Sequence, residues 1–312
     1  MSAEEHGRRV REILHWIGRG HIYQANLTYP IQARFVGEPA SLYQALRTHN
    51  AAPFGAYLAP AVPHPESTDD RPRPDRSERA ATRTRRAIPT ILSSSPELFL
   101  RIHGRTIETR PIKGTARRDL GNPGRDRCLA HDLFRSAKDR AELTMIVDLE
   151  RNDLGRLCRP GTVRTLPFPR VESFRRVHHL AATVRGELAR PVTLDEIFAT
   201  TFPGGSVTGA PKIRAMEILR DLEIGPRWVY TGTLGMIDDR GRAHLSLTIR
   251  TLWIENDHAV LHVGGGIVAD SVPEREWEET RDKAAAMLDA LESGWIDPTR
   301  RGRSIPSPVS AV

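Results

Sequence analysis

Of the 46 lysine and arginine residues in this 312-residue sequence, only Lys113, Lys138, Lys212 and Lys283 are lysine. A surface that needs positive charge alone would take arginine like the rest of the chain. In "RPIKGT", residues 110–115, a lysine stands between an apolar residue and a glycine. That placement points to an amine wanted for something a guanidinium cannot do, which is to lose its proton. Lys138, in "RSAKDRAE", reads as a solvated charge.

Four further groups of residues have the right types for chemistry. Glu276 and Glu279 share a helix face at i, i+3, and Glu142 in "DRAELTMIVDLERNDLGR" is a possible third carboxylate. Two or three carboxylates completed by water and an anionic substrate suit Mg²⁺, although the same glutamates also read as a solvated helix face. Gly264, Gly265 and Gly266 in "VGGGIVADS" lack the spacing of a dinucleotide fingerprint or a P-loop. Their amides suit an anion such as a carboxylate, and a bulge or tight turn is the alternative. "FPGGSVTGAPK" brings Ser206, Thr208 and Lys212 to a helix N-terminus, a second place for an anion. Arg250 suits bidentate carboxylate binding and Lys283 stands four residues after Glu279. Together these residues describe an anionic substrate held by cations and glycine amides beside a divalent ion, and taken alone they go no further.

The elements that must position them follow from periodicity. Val10, Ile13, Leu14 and Ile17 predict a helix over 4–18 that feeds the strand "HIYQANLTYPIQARF". A helix in "ASLYQALRTH" and a strand in "PFGAYLA" follow, and strands resume at "TILSSS", "ELFLRI" and "RTIETRPI", with a turn at His103–Gly104. Residues 124–156 read as helical, and "VESFRRVHHLAATVRGEL" as extended. Thr193 and Glu196 predict a capping box, and Pro211 opens a helix where its missing N–H costs nothing. Residues 228–267 read as three strands, the middle one alternating Leu245, Leu247 and Ile249 against His244, Ser246, Thr248 and Arg250. "PEREWEETRDKAAAMLDALES" is the closing helix. Helices and meander-like strands without a βαβ rhythm predict an α+β fold with a mainly antiparallel sheet.

Composition narrows the class. The formal charge is +7, but residues 61–90 hold seven arginines against five acids, and the tail from Pro298 holds three arginines and no acid, so the body is close to neutral. No basic stripe interleaved with aromatics marks a nucleic-acid binder. No apolar run is long enough to span a bilayer and the first residues lack an export signal, so the expected location is cytoplasmic and no membrane partner is expected. Cys128 and Cys158 lack metal-ligand spacing. Residues 1–297 read as one catalytic domain, with 61–90 as a disordered loop insertion, and residues 298–312 as a flexible basic tail.

In order and wording, "GHIYQANLT", "SSSPELFL", "RPIKGTARR", "AELTMIVDLERNDLGR", "FPGGSVTGAPKIRAMEIL", "YTGTLGMI", "SLTIRT" and "GGGIVADSVPEREWEETRDKA" resemble the chorismate-utilising enzymes. These are the anthranilate synthase and aminodeoxychorismate synthase components I and the isochorismate and salicylate synthases. The resemblance runs from about Val10 to Leu291. It implies two large antiparallel sheets flanked by helices, a chorismate pocket between them, and Mg²⁺. Carried over by position, Glu142 and Glu279 become metal ligands with Glu276 close by. Arg250, Lys283 and the amides around Gly265 and Gly266 become carboxylate binders, Tyr230 and His179 pocket walls, and Glu97 an acid/base.

Two positions choose among the members. Gln24 stands where the isochorismate and salicylate synthases resemble one another in having a water-activating lysine, which disfavours water-using chemistry. Lys113 stands where aminodeoxychorismate synthases resemble "PIKGT" and anthranilate synthases "PIAGT". The implied reaction is amination of chorismate to 4-amino-4-deoxychorismate, on the route to p-aminobenzoate and folate, with Lys113 as covalent nucleophile. For that role its pKa is expected to be lowered, by desolvation or by neighbouring cations such as the metal and Arg250. Ammonia is expected from a separate glutamine amidotransferase. The alternatives are anthranilate synthase component I and a truncated, inactive relative acting as a binding protein, since the amino-terminal region common in the family is absent from this sequence.

Overall fold

The computed structural model describes residues 1–60 and 88–293; most of the 61–90 loop and all of the 298–312 tail lie outside the described residues. The amino-terminal helix, α1 (Ala3–Gly18), starts at Ser2, whose hydroxyl accepts from the Glu5 amide, and buries Val10 and Ile13. It leads into β1 (Gln24–Arg34), which lies along the last strand, β15 (His258–Ile267), in an antiparallel ladder ten residues long. Between these come α2 (Pro39–His49), β2 (Phe54–Leu58), β3 (Thr90–Ser95), β4 (Leu98–His103), β5 (Thr106–Arg110), β6 (Ile112–Arg117), α3 (Pro123–Arg135), α4 (Ala137–Gly155), β7 (Arg164–Thr165), β8 (Arg170–Ser173), β9 (Val177–Ala181) and β10 (Val184–Glu187). Then follow α5 (Leu194–Thr201), a 3₁₀ turn (Gly205–Val207), β11 (Gly209–Ala210), α6 (Lys212–Leu222), β12 (Thr233–Ile237), β13 (Ala243–Leu247) and β14 (Thr251–Glu255); α7 (Pro273–Ser293) closes the described chain.

Among the described residues the strands form two six-stranded sheets, ordered β11-β1-β15-β14-β3-β2 and β12-β13-β4-β5-β10-β7, and a three-stranded sheet, β6-β9-β8. All the registered pairings are antiparallel. The expected class, two large antiparallel sheets flanked by helices, is therefore the class observed. Leu42, Leu46, Ala284, Met287 and Ala290 of α2 and α7 pack with Leu92, Leu252 and Leu261 of the first sheet. Leu143, Val147 and Leu154 of α4 pack with Leu100, Ile107 and Val184 of the second. Burying one such side chain contributes about 1.5–3 kcal/mol, which fixes these helices against their sheets.

Three details differ from the expected elements. The helical stretch 124–156 is two helices, because Ser136 ends α3 and caps α4 by accepting from the Asp139 amide. The 228–267 segment holds four strands, not three: the chain leaves the second sheet after Leu247 and joins the first at Thr251. Arg250 therefore sits at the corner between sheets with φ of +48°, and not on the polar face of a strand. The chain also crosses between the two large sheets after β3, and Glu97 lies in that crossing.

Candidate functional site

Lys113 lies on β6 of the small sheet. Gly114 has φ of +74°, a left-handed conformation in which L side chains are strained, and it is the extra residue of a bulge: Lys113 pairs with Leu180 and Thr115 with the next residue, His179. A Cβ there would also stand 2.9 Å from the side chains of Asp139 and Leu133. The glycine of "PIKGT" thus serves the bulge that sets the lysine's direction. The amine is 3.0 Å from Glu142 Oε1 and donates to the Ser206 carbonyl oxygen at 3.3 Å.

Burial opposes the charge of Lys113, but Glu142, Glu97 and Glu279 outweigh it and hold its pKa above the usual lysine value. The expectation of a lowered pKa is reversed, because the groups facing the amine are carboxylates and not cations. Gln24 donates from Nε2 to the same Glu142 oxygen at 3.3 Å, while its own Oε1 is buried without a partner.

Glu97 is almost fully buried, and its burial pushes its pKa up to about 7 against the opposing pull of Ser206, Lys113 and the Ile112 backbone. A carboxyl group that titrates near neutrality beside an amine can take or give a proton. Ser206 belongs to the Gly205–Val207 turn, which is tied from below by Glu150, whose Oε1 accepts from the Gly205 amide at 3.0 Å. Sequence reasoning missed Glu150, yet Leu143, Ile146, Val147, Glu150 and Leu154 form one buried stripe of α4, and a carboxylate on such a stripe is a legible signal.

Gly264, Gly265 and Gly266 are neither a turn nor a bulge. They continue the β1–β15 ladder opposite Thr28, Leu27 and Asn26, beyond Leu261 where pairing with β14 ends. What they provide is room. A Cβ on Gly266 would meet the Gln24 amide and stand 2.9 Å from Glu142 Oε1, and one on Gly265 would stand 3.3 Å from Glu276 Oε2 and 4.0 Å from Lys283 Nζ. Helix α7 brings Glu276, Glu279 and Lys283 over this floor: Lys283 Nζ is 2.6 Å from Glu279 Oε1 and donates to the Gly264 carbonyl at 3.2 Å. Glu276 accepts from Ser271 Oγ at 2.7 Å, and burial together with its neighbour Glu279 raises its pKa. Glu279 is exposed along its side chain, and Lys283, with Lys138 and Lys113 behind it, outweighs partial desolvation and keeps its pKa low.

Arg250 donates to Asn50 Oδ1 at 3.3 Å, and His179 Nδ1 is hydrogen-bonded to Thr115 Oγ1 at 2.9 Å. Burial and the adjacent Arg250 push His179 down to about 4, so it is neutral. Tyr230 is buried, with its pKa pushed up to about 12 by that burial, and its ring stacks on His262 at 5.4 Å. Thr208 lies at the end of the 3₁₀ turn and gives its hydroxyl hydrogen to the Gly204 carbonyl at 3.0 Å. Lys212 is bound to Asp153 Oδ2 at 2.5 Å and to the Thr201 carbonyl at 3.1 Å, so its amine is engaged by the protein and does not serve as the expected anion site.

Among the described residues, no three His, Cys, Asp or Glu side chains cluster closely enough to cage a metal ion. Magnesium does not need a protein cage, since it is commonly held by one or two carboxylates and completed by substrate and water. Glu142 and Glu279, whose charges both act on Lys113, with Glu276 over a side-chain-free floor, fit such an open site.

Residues 1–289 match the family model for chorismate binding enzyme, and the chain belongs to that family. It is 39% identical to aminodeoxychorismate synthase component 1 of Salmonella typhimurium, over 94% of this chain and 59% of that protein. It is 37% identical to anthranilate synthase component 1 of Aquifex aeolicus, over 94% of this chain and 54% of that protein. Among solved structures, anthranilate synthase component I from Streptococcus pneumoniae superposes with a TM-score of 0.75 at 30% identity, covering 92% of this chain and 58% of the other. The chain thus spans little more than half the length of these relatives.

Proposed function

We propose that this chain aminates chorismate to 4-amino-4-deoxychorismate, using ammonia from a separate glutamine amidotransferase. The observation that carries the reading is the Lys113 amine, aimed by the Gly114 bulge into a pocket with Glu142 at 3.0 Å and the titratable Glu97 beside it. The similarity to aminodeoxychorismate synthases supports it.

Lys113 must first lose its proton, and Glu97, with its pKa raised to about 7, takes it in an uphill step, since the surrounding carboxylates hold the amine above the usual lysine value. The neutral amine attacks C2 of chorismate, the ring double bonds shift, and the C4–oxygen bond breaks as Glu97 protonates the departing hydroxyl to water. Ammonia then bonds to C4, the double bonds shift back, the C2–nitrogen bond breaks, and a proton of the new C4 ammonium passes to the departing amine, which restores protonated Lys113. Glu142 and Glu279, with Glu276 close by, would hold Mg²⁺, which when bound supplies a Lewis acid against the substrate's negative charge. Arg250, Lys283 and the backbone of Gly264–Gly266 are the groups suited to the carboxylates, with Tyr230 and His179 as walls and Thr208 shaping the turn below. Among the described residues, no helix is long and apolar enough to cross a membrane, in keeping with catalysis in the cytoplasm.

The test is product analysis. Purified chain given chorismate, Mg²⁺ and ammonium should form an amine that keeps the enolpyruvyl group. Release of pyruvate with 2-aminobenzoate would make it an anthranilate synthase, and chorismate binding without turnover would make it a binding protein.

A further inference from the structure

Glu150 sits on α4 among the buried Leu143, Ile146, Val147 and Leu154 and is itself only 3% exposed. An acid in such a place costs stability unless a hydrogen bond offsets its burial. Its Oε1 accepts from the Gly205 amide at 3.0 Å. Gly205 opens the 3₁₀ turn, and Gly204 before it has no side chain with which to cap that turn. The first amides of a helical turn find no partner within it, so α4 supplies the cap from another element.

The carbonyl side of the turn is held as well. Thr208 Oγ1 donates to the Gly204 and Gly205 carbonyls at 3.0 and 3.3 Å. A Cβ on Gly205 would stand 2.7 Å from Leu149 Cδ2, so turn and helix are in close contact. What this clamp holds is Ser206. Its carbonyl accepts from Lys113 Nζ at 3.3 Å, and its side chain favours the ionised form of Glu97. The other partner of the amine, Glu142, is shared with Gln24 and proposed for Mg²⁺, which leaves the Ser206 carbonyl to direct the amine.

We propose that Glu150 is a positioning residue for the amination: it fixes the Gly205–Val207 turn so that Ser206 aims the Lys113 amine and faces Glu97. This rests on the reading of Lys113 and Glu97 as the reacting groups. Glu150 touches no reacting atom. Its effect therefore belongs in kcat and in the pH at which Glu97 becomes ionised, not in the KM for chorismate.

The experiment compares the parent with Glu150→Gln, which keeps an acceptor for the Gly205 amide, and Glu150→Met, which has similar length and none. Turnover of chorismate with ammonium is followed between about pH 6 and about pH 9. Acetylation of Lys113 by acetic anhydride, without substrate, is read from the mass of its peptide. Glu150→Met should lower kcat by about tenfold or more and leave KM unchanged. Its acid limb should move to higher pH, because Glu97 loses a contact that favours its charge, and Lys113 should be acetylated severalfold faster. Glu150→Gln should restore all three towards the parent. If Glu150→Met does not fold, Glu150→Asp, one methylene short of the amide, should show the same changes at smaller size. Parental kcat, acid limb and acetylation rate in the variants without a reaching acceptor would overturn the proposal. So would a Glu150→Gln variant as impaired as Glu150→Met, because the acceptor would then not be what matters. A parent that makes 2-aminobenzoate or does not turn over would overturn the amination reading alone, and the acetylation rates would still decide whether Glu150 positions Lys113.

Discussion

Helix α4 carries a carboxylate–lysine pair near each end, and the two pairs have different consequences. Near its carboxyl end, Asp153 holds Lys212 at 2.5 Å, and Lys212 also donates to the Thr201 carbonyl, so α4, α5 and α6 are tied together with every group satisfied. Near its amino end, Glu142 holds Lys113 at 3.0 Å, but Glu142 is shared with Gln24, and Lys113 is faced by Glu97 and Glu279 from two other elements. One pair is closed by protein, whereas the other opens onto a floor of glycines. A lysine kept in an arginine-rich chain is thus not in itself a mark of chemistry; the arrangement around it decides.

Breaking the closed pair should have the largest effect on the fold. Lys212→Ala leaves Asp153 buried without its cation, which costs about 3–5 kcal/mol and should appear as a large drop in the denaturation midpoint. A midpoint like the parent's would show that the pair is not structural. At the open end, Glu279→Gln should lower turnover by about a hundredfold with the melting temperature kept, because it removes a proposed ligand of Mg²⁺ and not a support of the fold. Parental turnover of that variant in EDTA-treated buffer would remove Glu279 from the metal site.

The smallest effect concerns Glu150, which lies between the two ends. Burial and the neighbouring Asp153 push its pKa up to about 8 from 4.5. A carboxyl group whose pKa is raised on folding stabilises fully below its unfolded value, and that contribution is lost as pH rises through the folded value. Glu150→Gln keeps an acceptor for the Gly205 amide and does not titrate. Between about pH 6 and about pH 9 the variant should therefore lose less stability than the parent, by on the order of 1 kcal/mol. Parallel denaturation curves for the two would contradict this.

Local signals were legible and long-range ones were not. The Thr193–Glu196 capping box and the α1 stripe depend on residues a few positions apart, and both are formed as their patterns predict. The corner at Arg250 was hidden because Leu245, Leu247 and Ile249 keep strand alternation across it; what breaks the strand is the exchange of one sheet for another. The small sheet that carries Lys113 was likewise hidden, since β6 pairs with β9 some sixty residues away, and its bulge is visible only as a glycine. The residue types of the site could be read individually. The raised pKa of Lys113 could not, because it arises from three carboxylates that only the fold brings together, and the Ser206 carbonyl is a backbone group that no residue type reveals.

The central claim is that Lys113 bonds to the substrate. It is tested most directly by incubating the parent and Lys113→Ala with chorismate and Mg²⁺, first without and then with ammonium, and following peptide mass and product. Without ammonium the parent should gain a mass on the peptide containing Lys113 equal to chorismate less water, and with ammonium it should release the 4-amino product. Lys113→Ala should show no adduct and lose most of that product, with residual amination shifted towards C2. A Lys113→Ala variant that makes 4-amino-4-deoxychorismate at the parental rate would contradict the covalent role.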